Sequence, residues 1–388
     1  MLSLRVIDSI NAIPLTEWNA IAESHPYTYS HEYLEILESS GCGNSHYQYV
    51  VINDDVDCLV AVTPLKIYRA DIAVFASGWL RKWLFNIRMA FPNFLKVQIV
   101  ECAPPIGLPA PHGHDESDPS QLINQILSKA LSGIAKDQGA LISVIGPFEP
   151  RDQQIQPVIE SLGFRITPCL PVAHLDIAWK TPDAYLSSLK SYYRSKLRRH
   201  LRINQSNGIH HELRDDFHDL ADVLWRQWLV VNQNAKECDD ETLNADFYRE
   251  FSLKFGARSK VLLIYSNNEL VGHALILLDG DTLCWRNFGR TNPHNDSLYI
   301  YACYIVVETA ILLGAKRLDL GVTTYSIKRD FGSSIVPRTI AIRSSFGLID
   351  SALVRLFALL NHVPGIQEKD VFKAVQQSPS QGRHGLGL

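Results

Sequence analysis

The stretch Tyr325 to Pro337 reads YSIKRDFGSSIVP and places Lys328, Arg329 and Asp330 directly before Phe331-Gly332, just beyond a strand-like RLDLG at Arg317 to Gly321. Moving an acyl group from an ester or thioester to an amine requires both reactants to be oriented, a tetrahedral oxyanion to be held, and a proton to be moved. Lys328 is a cation suited to the oxyanion. Tyr325, three residues ahead, is a hydroxyl that can protonate a leaving group. Asp319, on the preceding strand, either accepts the amine proton or pairs with Arg317 or Arg343. The plain alternative for the whole stretch is a charged surface turn.

Cations gather again in LKSYYRSKLRRHLRINQ. Lys190, Arg194, Lys196, Arg198, Arg199 and Arg202 fall within 13 residues of a chain whose net charge is −4. Leu186, Leu189, Tyr193, Leu197 and Leu201 recur at helical spacing, so one face is expected to be buried with the cations beside it. Guanidinium forks match phosphate oxygens, which makes this a clamp for a phosphate-bearing donor or, more plainly, a solvated basic helix. CWRNFGRTNPHNDSLYIY sets Trp285, Arg286, Asn287 and Arg290 on a strand and its following loop. A helix then starts near Asn295–Leu298, whose first amides lack intrahelical acceptors and suit an anion. Asp296 or Ser297 can equally cap that helix.

Three further signals are weaker. HHELRD (His210 to Asp215) satisfies HHxxxD, an acyl-transfer signature, but Asp216 stands where Gly is expected and the apolar alternation reads as a strand. PHGHDESD offers His112, His114 and Asp115 to a metal within a Pro/Gly-rich loop that lacks a second ligand cluster; no metal is expected. GWLRKWLFNIRMAFPNFL (Gly78 to Leu95) is amphipathic and suits a membrane surface, a groove for an acyl group, or packing over a sheet. Nothing matches GxSxG, a Walker loop or HExxH.

The elements that must position these residues follow a repeat. YQYVVINDDVDCLVAVTPLKI and KVLLIYSNNELVGHALILL both read strand, polar turn, strand. LINQILSKALSGIAKDQGALISVIG and LYIYACYIVVETAILLGAKRLDLG both read helix, Gly-Ala, strand, with Gly as the helix stop. Helices that cross between strands predict a mixed α/β sheet with helices on it. Two units follow, 1–170 and 171–365, joined at TPCLP, with a flexible tail at 366–388. In the second unit a helix is expected from Asp183 to about Asn204, capped by Thr181 with Pro182 in its first turn.

The 388 residues, 46% hydrophobic and 20% charged, suit two globular units and exclude a generic polyanion binder. Seven scattered cysteines without C-x-x-C argue against a disulfide framework or zinc knuckle. The N-terminus lacks an apolar signal region, and YIYACYIVVETAILLGA is broken by Glu308 and too short to span a bilayer. A cytoplasmic protein without stable membrane insertion is expected.

The pattern resembles the GNAT (N-acetyltransferase) superfamily, and within it the FemAB/FemX-like branch and BioF-like or CelD-like acyltransferases. The marker is Ile327-Lys328-Arg329-Asp330-Phe331-Gly332 after the fifth core strand, together with the basic YYRSKLRR. The resemblance implies an α/β fold of tandem GNAT-like units, each a mixed, mostly antiparallel sheet flanked by helices. It implies Lys328, Tyr325 and Asp319 as the reacting groups. Arg194, Lys196, Arg198, Arg199, Arg286, Arg290, Arg329 and Phe331 would hold the donor, and Trp285 and Tyr193 the acceptor. No tightly bound cofactor is expected; acyl-CoA or aminoacyl-tRNA would be co-substrate, a small-molecule amine the acceptor, and tRNA or a carrier protein a partner. RTNPHNDS replaces the Q/R-x-x-G-x-G/A pyrophosphate loop of acetyl-CoA users, which leaves the donor open. A FemX-like aminoacyl-tRNA-dependent ligase and a catalytically degenerate binding protein are the alternatives.

Overall fold

The computed structural model describes residues 2–43, 45–71, 78–107, 130–234, 242–345, 355 and 369–373. One sheet runs through both halves of the chain. In the first half β1 (Ser3–Ile7), β2 (His46–Asn53), β3 (Leu59–Asp71), β4 (Lys96–Cys102) and β6 (Ile142–Phe148) lie side by side, and the short β5 (Ile106–Gly107) pairs with β3. In the second half β8 (Ile209–Arg214), β9 (Ser259–Ser266), β10 (Glu269–Asp279), β11 (Thr282–Arg290) and β12 (Arg317–Asp319) do the same. Each half has its parallel pair at the matching place, β4 with β6 and β11 with β12.

Between the halves lie β13 (Ser334–Ser344) and β7 (Arg165–Asp176), so the order is β1-β2-β3-β4-β6-β13-β7-β12-β11-β10-β9-β8. That order is palindromic. β7 follows the first unit in sequence but pairs with β12 of the second; β13 closes the second unit but pairs with β6 of the first. The two also pair with each other. The tandem units thus exchange a strand, and the main-chain groups each would expose at its inner edge are satisfied by the other. The boundary expected near residue 170 falls inside β7 and not in a linker. Pro171 is tolerated there because the register shifts between Val336 and Arg338, opposite it.

The repeat extends to the helices. α4 (Ser132–Asp137) and α10 (Asp296–Leu312) each lead into the parallel strand of their half. Both stop at a left-handed glycine, Gly139 (φ 62°) and Gly314 (φ 71°). Both ends are closed by the same bond, Ala140 N–H to Ala135 O (2.8 Å) and Ala315 N–H to Ala310 O (3.0 Å). α5 (Gln156–Ser161), between β6 and β7, corresponds to α11 (Tyr325–Asp330), between β12 and β13. The YSIKRD stretch is therefore one helical turn and not a loop.

α10 is apolar all round because it is covered on both sides. Beneath it is the sheet; above it are α6 (Pro182–Ser188) and α7 (Ser191–Ser206), packed around buried Ala302, Cys303, Val306 and Ala310. No described helix is long and apolar enough to cross a membrane. On the opposite sheet face, α8 (Ala221–Gln233) and α9 (Ala245–Phe255) share a core with α2 (His31–Ser40), which belongs to the first unit.

The single helix expected from Asp183 to Asn204 is two. Thr181 caps it as expected, accepting the Ala184 amide at 3.1 Å. It then breaks at Leu189, which is extended at φ −66°, ψ 142°. The C-terminal segment causes the break. Lys190 N–H donates to Val371 O (2.9 Å), Lys373 N–H donates to Ser188 O (2.8 Å), and Leu189 bridges Phe372. Part of the tail expected to be flexible, Lys369–Lys373, is thus docked as a short strap.

Candidate active site

β11 and β12 pair only from Thr282–Arg317 to Cys284–Asp319. Beyond that point they part. β11 runs on to Arg290 beside β10, while the chain leaving β12 turns toward β7, with Leu320 N–H on Ala173 O (2.8 Å) and Ala173 N–H on Gly321 O (3.1 Å). Two parted strands present main-chain groups that the ladder does not use. An extended ligand carrying amides can pair with them.

Both edges of this gap are irregular. On β11, Trp285 and Asn287 face consecutive residues of β10, Ile276 and Leu275, so Arg286 is an extra residue in a bulge. The bulge turns Arg286 and Asn287 toward the α2/α9 face. The Arg286 guanidinium donates to Tyr33 Oη (2.9 Å) and stands 5.9 Å from the ring centres of both Tyr33 and Phe247. Asn287 is 8% exposed, and its Oδ1 is buried with no hydrogen-bond partner among the described residues. On the β12 side, Thr323 (φ 66°) and Thr324 (φ 50°) are left-handed in succession. Each costs on the order of 1–3 kcal/mol, a strain that persists only when neighbours enforce it.

Lys328 is one enforcer. It is 3% exposed, and its Nζ donates to Val322 O at 2.5 Å. Tyr325 is buried and its hydroxyl donates to Pro171 O (2.8 Å), which ties α11 to β7. Asp319 sits where the strands part. Its Oδ1 accepts the Gly321 amide (2.7 Å) and lies 3.8 Å from His174 Nε2. Neither expected arginine pairs with it: Arg317 meets Asp176 (3.0 Å), and Arg343 reaches Leu162 O (3.1 Å) in the first half. Burial pushes the Tyr27 phenol far up, and Arg286 pulls it back while Tyr33, Cys284 and Asp319 push it further, so these groups share one electrostatic neighbourhood.

The remaining expected donor and acceptor residues do not share one place. Tyr193, Lys196 and Phe331 come together in a groove with Leu197, His200, Ile300, Ile327 and Asp330. There Lys196 Nζ meets Asp330 at 2.6 Å, so the basic helix and the Phe-Gly corner do face one another. Arg198 and Arg199 project from α7 and are exposed. Arg194 turns back to Leu189 O (3.2 Å) and closes the end of α6. Arg290 staples the loop after β11, donating to Asn295 O (2.6 Å) and Pro293 O (2.5 Å). Arg329 is half-buried beside Lys328. Trp285 lies in the core under α10, stacked on Tyr299 at 5.7 Å.

The anion site expected at the start of α10 is capped by neither Asp296 nor Ser297. Asn295 Oδ1 caps it at the Leu298 amide (3.1 Å). Ser297 is instead held by α7, through His200 Nδ1 (3.1 Å) and Asn204 Nδ2 (3.1 Å). The HHxxxD residues stand on β8, at the sheet edge and away from the gap. His211 Nδ1 meets Tyr301 Oη (2.9 Å), and Asp215 pairs with Lys260 (2.7 Å). His112, His114 and Asp115 lie outside the described residues. Among the described residues no three His, Cys, Asp or Glu side chains are grouped to hold a metal.

Tyr27, Tyr33 and His174 join the gap without having been singled out from the sequence, and Asn287, named there only as part of the strand, stands at its edge. Tyr27 and Tyr33 reach it from the first unit, so no spacing could reveal them. His174 carried a faint signal: it is the polar residue in the alternation of VAHLDI, directly across the ladder from Asp319.

Comparison with known proteins places this architecture. At 13% identity and a TM-score of 0.55, the crystal structure of FemX matches 89% of this chain and 98% of its own. A tandem GNAT protein from the clavulanic acid biosynthesis pathway matches 88% of this chain and 98% of its own, at 9% identity and a TM-score of 0.51. A curated relative from Mycobacterium tuberculosis, "Putative 8-amino-7-oxononanoate synthase 2", is 24% identical over 348 residues. This chain spans 44% of that relative's length. The FemAB-like profile, described as peptidoglycan biosynthesis/recognition, matches residues 9–336. With that match over most of its length, the chain belongs to the FemAB-like family, and its fold is that of tandem GNAT proteins.

Proposed function

We propose that this protein is an acyltransferase that moves an acyl or aminoacyl group from an activated donor to an amine, with the gap between β11 and β12 as the place of reaction. The observation that carries this reading is the parting of the strands at Cys284–Asp319, with Arg286, Asn287 and Asp319 gathered at its edges. The donor lies extended along the parted strands. The amine nitrogen attacks the donor carbonyl, the ester or thioester bond breaks, and Asp319 takes the proton lost from nitrogen and returns it to the departing hydroxyl or thiol. Main-chain amides at the bulge and the Asn287 amide hold the oxyanion.

Lys328 and Tyr325 act at one remove. Their polar atoms are engaged by the carbonyls of Val322 and Pro171, so they hold the strained loop and α11 in register. The exposed Arg198 and Arg199, with Arg202 one turn on, face a donor rich in phosphate, either acyl-CoA or an aminoacyl-tRNA. The acceptor is a small-molecule or precursor amine, and the reaction belongs to the cytoplasm.

A second reading has one observation in its favour. Two of the three residues expected to react directly, Tyr325 and Lys328, are held by backbone carbonyls, as they would be in a binding protein without turnover. Incubation with acyl-CoAs and, separately, charged tRNA, read as mass shifts on a panel of amines, decides between them. Product from either donor supports the transferase. Donor binding without product in any arm supports the binding protein.

A further inference from the structure

The α3 helix (Gly78–Ala90) and the turn that follows it carry apolar side chains on the outside. Trp83 is 52% exposed, Met89 78%, Phe91 66% and Phe94 38%. Trp83, Ile87 and Phe91 recur every four residues and so form one stripe, bordered by the buried Leu84. A group of large exposed apolar residues on one short segment marks an interaction surface.

The charge around the stripe selects its partner. Between Arg69 and Lys96 the chain has five cations, Arg69, Arg81, Lys82, Arg88 and Lys96, and one carboxylate, Asp71. That carboxylate is engaged by Arg88, whose guanidinium also donates to Phe94 O at 3.1 Å and 3.0 Å. Arg88 thereby fixes the turn bearing Phe91 and Phe94 against the end of β3. The segment is net positive in a chain of net charge −4. A second copy docking through the same face would bring like charges together. A segment rich in Trp, Phe, Lys and Arg, with almost no carboxylate, has the composition that lies in the headgroup region of an anionic bilayer.

We infer that α3 and its following turn dock this protein peripherally on anionic phospholipid bilayers, with Trp83, Phe91 and Phe94 entering the interface and the flanking cations meeting the headgroups. This surface is separate from the gap between β11 and β12 and does not depend on the chemistry proposed there.

Sedimentation of the full chain with vesicles tests it. Vesicles of phosphatidylcholine containing about 30% phosphatidylglycerol should bind at least roughly tenfold more protein than phosphatidylcholine alone, and added salt should reduce binding. Replacing Trp83→Ala together with Phe91→Ala should lower binding about tenfold with an unchanged circular dichroism spectrum. Arg198→Ala with Arg199→Ala should leave vesicle binding unchanged. The conservative Trp83→Phe provides a second reading that does not depend on the folding of the double alanine variant: brominated phosphatidylglycerol should quench wild-type fluorescence more than that of Trp83→Phe. Failure to bind anionic vesicles at low salt overturns the inference. So does loss of binding with the α7 variant instead of the α3 variant, or a dimer that the α3 variant abolishes.

Discussion

Lys196 and Asp330 meet at 2.6 Å, and that contact joins the basic helix to the Phe-Gly corner. Asp330 also receives Lys369 from the C-terminal strap. One carboxylate therefore pins α7, α11 and the strap to each other. Burial works to raise its pKa, but the hydrogen bonds from Lys196 and Lys369 outweigh that and hold it below the usual carboxylate value.

Asp330→Asn should cost about 1–2 kcal/mol at neutral pH, since two partly exposed lysines lose their counter-charge. A depressed carboxylate contributes stability above its unfolded pKa of about 3.9 and loses it as acid protonates the folded group. The difference in urea midpoint between wild type and variant should therefore be present at pH 7 and vanish on acidification below the folded pKa. Limited proteolysis should release the strap faster in the variant.

Gly332 lies at φ 88°, and a Cβ there would overlap the Phe372 ring. Gly332→Ala should destabilise by about 1–3 kcal/mol, from the left-handed backbone and from displacing the ring. Placing the same change in a Phe372→Ala background should recover the steric share and leave the backbone share. Thermal melts of the four proteins in the cycle measure the two separately.

His273 has no exposed surface, lies between Gln227 (2.9 Å) and Tyr248 (3.3 Å), and is pushed down to about 3 by burial. The unfolded imidazole takes up a proton below about pH 6.5, while the folded one does so only near pH 3. Acid thus favours the unfolded chain across that interval, by about 1.4 kcal/mol for each pH unit. His273→Gln should be less stable at pH 8 but lose less on going to pH 5, read as a shallower slope of urea midpoint against pH.

Asp319→Asn keeps an oxygen for the Gly321 amide but cannot take a proton. It should lower kcat by about 10²–10⁴-fold with little change in melting temperature. An unchanged kcat would remove Asp319 from the proposed proton path. Asn287→Ala should lower kcat with little effect on KM, because its amide is assigned to the transition state.

The donor can be told from the salt response of α7. With a tRNA donor, Arg198→Ala together with Arg199→Ala should reduce the slope of log K against log salt by roughly 1.4–1.8, because each phosphate contact releases counterions. With acyl-CoA both proteins should show shallow slopes, and the variant should differ mainly in KM.

Much of this fold was legible because it is local. Gly139 and Gly314 declare their helix stops by residue type, and Thr181-Pro182 declares a helix start. The strand-turn-strand repeats and the buried face of the basic helix follow from side-chain period alone. Those features announce two units, whereas the meeting of α7 with the Phe-Gly corner was expected only from the family resemblance. What only the tertiary structure decided involves partners far apart in the chain. The exchange of β7 and β13, the break at Leu189 made by the strap, the reach of Tyr33 to Arg286, and the engagement of Tyr325 by the Pro171 carbonyl all pair groups whose separation leaves no trace in spacing. A residue's type sets which bonds it can make, but for a buried polar group the partner is whichever complementary atom the packed sheet brings within reach.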